Sequence, residues 1–64
     1  MTQKFFAGGI VKHVKTGRIY RILHYALFEH NTRPCYVYVS SEGVIWVRAA
    51  EEMEDGRFVN EVRS

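Results

Sequence analysis

The chain contains a single cysteine and a single proline. A lone Cys35 can form no internal disulfide, which excludes the stapled secreted scaffolds and suits a reducing cytosol. One proline, Pro34, leaves no proline-rich linker. No apolar run approaches membrane-spanning length. The N-terminal stretch, Met1 to Gly9, lacks the apolar core of about 7–15 residues that marks a signal peptide. The net charge is only +2, too small on its own to argue for nucleic acid. No phosphate-binding loop, metal-ligand spacing or catalytic constellation is present. These absences point to a soluble, cytoplasmic, non-enzymatic protein with no cofactor, no metal and no membrane partner.

What is present fits one small globular domain. Sixty-four residues bury only about 60% of the surface that the unfolded chain exposes. A hydrophobic content of 47% rules out disorder as the default. Charge is uneven along the chain. Residues 1–40 carry six lysines and arginines against Glu29, while residues 41–64 carry three arginines against six acids.

Residues 1–9 end in Gly8-Gly9 and look like a flexible arm, whose Phe5 and Phe6 are costly to leave in water. Residues 10–64 form the domain. Ile10 to Val14 is a short strand, closed by a Thr16-Gly17 turn. Ile19 to Phe28 is long and apolar on both faces. The dominance of Ile, Tyr and Phe favours a strand over a helix, and a strand of this kind bends or is covered on both sides. Glu29 to Pro34 is a polar loop. Cys35 to Val39 alternates, and Ser41-Glu42-Gly43 matches a three-residue hairpin loop with a left-handed glycine. That loop sets Val39 against Ile45 and Val37 against Val47 on one side, and Tyr38 against Trp46 and Tyr36 against Arg48 on the other. The valine–isoleucine side is expected to be core, so that Val47→Asp should unfold the domain. Ala49 to Met53 is expected to make one helical turn. Asp55-Gly56 is a turn, and Arg57 to Val62 is the closing strand. Strand, helical turn, glycine turn and final strand is how many five-stranded SH3-like barrels end. The expected fold is all-β, a small SH3-like barrel.

The run His13-Val14-Lys15-Thr16-Gly17, then Tyr20, Ile22-Leu23, Ala26, Tyr38, Trp46-Val47-Arg48, Glu52-Met53 and Asp55-Gly56-Arg57-Phe58 resembles an uncharacterised family of small bacterial and phage-encoded barrel domains. The family pattern carries Pro after the Trp-Val-Arg and Phe before the Asp-Gly turn, where this chain has Ala49 and Met53. The resemblance spans about residues 10–60. It implies a small β-barrel, often from a phage or prophage gene, and no assigned activity.

The side chains that bear chemistry weigh differently. His13, His24, His30 and Cys35 lack chelating spacing. Cys35 has no base beside it and reads as a small buried hydrophobe. Glu51, Glu52, Glu54 and Asp55 read as a solvated face that pairs with Arg48 or Arg57. Trp46, Tyr38, Tyr36 and Arg48 share one hairpin face, an aromatic–cationic patch suited to a protein partner, although the N-terminal arm or the 49–53 turn could cover it. Lys12, Lys15, Arg18 and Arg21 surround the first turn and could contact phosphates, although basic residues also protect edge strands. The leading expectation is a protein-binding interaction module. The alternative is a nucleic-acid-binding barrel that uses the basic first hairpin.

Overall fold

A computed structural model describes residues 3–61. Met1 and Thr2 of the arm, and Val62 of the expected closing strand, lie outside the described residues. Five strands form one antiparallel sheet: β1 (Ile10–His13), β2 (Ile19–Phe28), β3 (Arg33–Ser40), β4 (Ile45–Ala49) and β5 (Phe58–Asn60). Their spatial order is β4-β3-β2-β1-β5, the order of an SH3-like barrel. A short helix, α1 (Ala50–Glu52), and a wide helical turn, Met53–Arg57, join β4 to β5. Gly56 has φ 108°, a value that an L side chain rarely tolerates, and this glycine lets the helical turn reverse into β5.

The length of β2 is explained by a bulge. Its pairing with β3 slips between Ile22 and His24. Before the slip Tyr20 and Ile22 point inward; after it Tyr25 does, its ring 5.1 Å from that of Tyr36. One extra residue therefore switches the facing set and bends the strand, so the two apolar faces serve different stretches of one curved sheet.

The β3–β4 hairpin has the expected register, with Val39 opposite Ile45, Val37 opposite Val47, Tyr38 opposite Trp46 and Tyr36 opposite Arg48. Gly43 sits at φ 86°, as the three-residue loop requires. The inward face is the reverse of the expected one. Tyr36 and Tyr38 are core, while Val37 and Val39 are half-buried and Ile45 and Val47 remain 62% and 61% exposed. Alternation decides which residues share a face, but the neighbouring strands decide which face turns in. Tyr38 lies opposite Ile22, and Ile22, Val11 and Phe58 are all buried. The barrel interior is filled by edge-to-face rings: Tyr20 against Tyr38 at 5.2 Å and Tyr38 against Phe58 at 5.8 Å. Large rings fill so small an interior with few side chains.

The described part of the N-terminal arm packs into the barrel. Phe5 is 1% exposed and meets Tyr36 edge-on at 5.6 Å. Gly8 N–H donates to the Ile22 carbonyl, and Ile22 N–H donates to that of Gly9, both at 2.8 Å. Phe6 stays exposed. Cys35 is buried on the opposite side of β3 from Tyr36, between Ala26 and Ala49. No helix among the described residues is long and apolar enough to cross a membrane.

Candidate functional site

The first β-turn and the β4 hairpin meet at one end of the barrel and form a groove of about 490 Å³. Tyr20, Tyr38 and Phe58 supply an aromatic floor, with Trp46 and Arg48 on one wall and His13, Thr16 and Arg18 on the other. Trp46 is half exposed, at 50%. It points to the inner side with Tyr38 but sits on the last strand of the sheet, where no further strand shields it. An indole held by a strand, with one flank in solvent, is a preformed contact surface with little left to order on binding.

The walls are fixed by local bonds. Arg48 Nε donates to Glu52 Oε1 at 3.2 Å, one helical turn along, and the guanidinium lies 5.8 Å from the centre of the Phe58 ring. The other side of that floor is met by His13, with ring centres 4.8 Å apart, and His13 Nδ1 is 3.0 Å from Thr16 Oγ1. The same hydroxyl accepts from the Arg18 backbone N–H at 3.3 Å. Thr16 thus ties the turn that carries Lys15 and Arg18 to the groove. Lys15 lines an adjoining depression with His13, Arg48 and Arg57. Arg57 is paired with Asp55 at 3.1 Å, whereas Lys15 and Arg18 have no ion pair among the described residues. Burial raises the Tyr38 phenol above its usual range, opposed in part by the Arg48 charge beside it, so Tyr38 presents a neutral hydroxyl and a ring.

The expected site residues therefore divide. Trp46, Tyr38 and Arg48 come together and Arg18 joins them, while Lys15 lines the adjoining depression. Tyr36 does not: it is 0% exposed at the other end of the barrel. Its hydroxyl donates to Glu54 Oε2 at 2.5 Å and accepts from the backbone N–H groups of Phe5 and Lys4 at 3.1 and 3.2 Å. Burial foremost, then the bond to Glu54, pushes its pKa up to about 12. Lys12 and Arg21 also lie elsewhere. They share the outer sheet face, Lys12 within 4.0 Å of Glu61 and Arg21 opposite Ile10.

Tyr20, Phe58, His13 and Thr16 were not expected as site residues. Tyr20 and Phe58 form the floor because the tyrosine face of β3, not its valine face, turns inward. Among the described residues, no group of three His, Cys, Asp or Glu side chains is placed to hold a metal ion. Arg48 pairs with Glu52 and Arg57 with Asp55, so two of the four clustered acids neutralise the basic wall. Comparison with family models, curated proteins and solved structures finds no match to this chain.

Proposed function

We propose that this protein is a small non-enzymatic interaction module whose groove captures an acidic, aromatic-containing segment of a partner protein. The observation that carries the proposal is the half-exposed Trp46 over the Tyr20–Tyr38–Phe58 floor, flanked by Arg48 and Arg18, with Lys15 in the adjoining depression. An apolar side chain of the partner packs against the indole, and its carboxylates meet Arg18 and Lys15 at the open side. Binding energy concentrates on such aromatic and arginine anchors. The cytoplasm of a bacterium, with the gene carried by the host or a phage, belongs to the same reading.

Trp46 is the only tryptophan, so its fluorescence reports the groove directly. A Glu-rich peptide with a central Phe should shift and protect it from acrylamide. Trp46→Ala should weaken capture of that peptide, read with a label on the peptide, by about 2 kcal/mol or more. Equal binding by the variant would remove the groove from the mechanism.

A second reading has one observation in its favour: two unpaired cations beside an exposed indole also suit a single-stranded nucleic acid, with a base stacked on Trp46 and phosphates on Lys15 and Arg18. Salt separates the readings. Phosphate contacts lose affinity steeply with salt, and Lys15→Ala or Arg18→Ala should each flatten that slope by about one unit. Lys12→Ala should not, because Lys12 lies on the outer face beside Glu61. No binding to oligothymidylate at low salt would eliminate this reading.

A further inference from the structure

We propose that β4 pairs with β4 of a second copy of this chain, antiparallel about a twofold axis at Val47. The proposal does not rest on the groove reading. β4 ends the sheet, so one side of its backbone has no neighbouring strand among the described residues. The ladder says which groups these are. Ser40 N–H donates to the Val44 carbonyl at 2.9 Å, which makes Ser40 and Val44 a hydrogen-bonded pair. Bonding alternates along an antiparallel ladder. Trp46 and Arg48 therefore bond to β3, while the N–H and C=O of Ile45 and Val47 point away from the sheet.

Edge strands are ordinarily blunted by proline, charged side chains, a bulge or a covering element. Ile45-Trp46-Val47-Arg48-Ala49 has no proline and no bulge, since Pro34 lies on β3 and the bulge in β2, and its one charge, Arg48, is paired with Glu52. Nor is it covered, since Ile45, Trp46 and Val47 are each at least half exposed. The opposite edge, β5, has only three residues.

A second copy fits this edge because the strand is complementary to itself. With the axis at Val47, the whole strand pairs with its counterpart: Val47 faces Val47, Ile45 faces Ala49 and Trp46 faces Arg48. The outward-pointing backbone groups of Val47 meet and exchange two hydrogen bonds. The large Ile45 lies against the small Ala49 on the outer face. On the inner face each Trp46 indole receives the Arg48 guanidinium of the other copy, a cation–π pair repeated twice by the symmetry. Like charges are not brought opposite each other within the strand. The exposed side chains of Val44 to Val47 offer on the order of 400 Å² per copy, about half of what a standard interface buries on each partner. The dimer is accordingly weak and dependent on concentration.

Sedimentation or light scattering on the full chain, from about 1 μM to about 1 mM, tests this by mass action. The mass should rise from 7.5 kDa towards twice that value. Val47→Pro removes an N–H that β3 does not use, so circular dichroism should stay unchanged while dimerisation weakens at least tenfold. If the proline variant does not fold, Val47→Lys serves instead, because it keeps the ladder and sets two ammonium groups face to face on the axis. Arg18→Glu, which alters the groove wall but not the edge, should dimerise as the unaltered chain does. A unaltered chain that stays monomeric at the highest concentration would overturn the proposal. So would a folded Val47 variant that still dimerises, or growth past two copies, which would mean head-to-tail pairing of β4 with β5.

Discussion

Two tyrosines of β3, two residues apart on the same face, are both buried but in different surroundings. Tyr36 lies at the end of the barrel stoppered by Phe5, with every bonding position of its hydroxyl occupied. Tyr38, also buried, lies at the other end and lines the groove beside the half-exposed Trp46. The strand and its alternation are the same at both. What differs is what covers the ring: Phe5 of the N-terminal arm at Tyr36, and the rings of Tyr20 and Phe58 at Tyr38. The core of this domain and its candidate site are thus one aromatic layer, closed at one end and open at the other. The groove end leaves the Trp46 indole half in water, whereas the Phe5 end is sealed.

Emptying the closed end should have the largest effect. Phe5→Ala removes a fully buried ring and should cost about 3–5 kcal/mol. A chain of this length commonly has a total stability of the same order. Thermal unfolding should show loss of the cooperative transition or a large fall in its midpoint. Trp46→Ala at the open end should cost far less, because half of that side chain is already in water. Equal losses at the two ends would abolish the distinction between plug and groove.

Tyr36→Phe keeps the ring and removes only the hydroxyl, so it measures the bonding at the closed end. Two backbone N–H groups and one carboxylate oxygen of Glu54 lose a partner, a cost of about 1–3 kcal/mol. The substitution also has a signature in pH. The folded pKa of Tyr36 is raised from 10.0 to about 12, so the folded state holds that proton more tightly than the unfolded chain does. The resulting stability is complete below pH 10 and is lost as pH rises through about 12, at up to about 1.4 kcal/mol per unit. Tyr38, also raised, acts in the same direction. Denaturant midpoints across pH 9–12 should fall less steeply for Tyr36→Phe than for the unaltered chain. Parallel curves would mean that Tyr36 ionises as freely folded as unfolded.

The fold was legible in the sequence because its signals are local. Ser41-Glu42-Gly43 set the hairpin register, and Asp55-Gly56 marked the turn into β5. The inward face was not legible, because it depends on contacts from far along the chain. Ile22 reaches Tyr38 only after β2 has paired with β3, and Phe5 reaches Tyr36 across 31 residues. Composition also misleads here. Valine and isoleucine are the usual core residues of a strand, whereas this interior is packed with tyrosine rings, and the Tyr36 hydroxyl finds polar partners. The groove was half legible for the same reason. Trp46, Tyr38 and Arg48 follow from register alone, but Tyr20, Phe58 and the Thr16-anchored Arg18 require the barrel to curl.

Val47→Asp, on the outward face of the hairpin, should have the smallest effect on stability. On a valine-core hairpin it would bury an unpaired carboxylate and unfold the domain. With Val47 at 61% exposure, the new carboxylate reaches water, and what remains is the poor strand preference of aspartate, about 1 kcal/mol or less. The thermal transition of a dilute sample should persist within a few degrees of the unaltered chain, beside the collapse expected for Phe5→Ala. The substitution also places two carboxylates across the proposed twofold axis, so the same sample should lose its dimer at high concentration while keeping its fold. Unfolding of the dilute variant would place Val47 in the core and the tyrosines outside it, and both the groove and the β4 edge would then have to be redrawn.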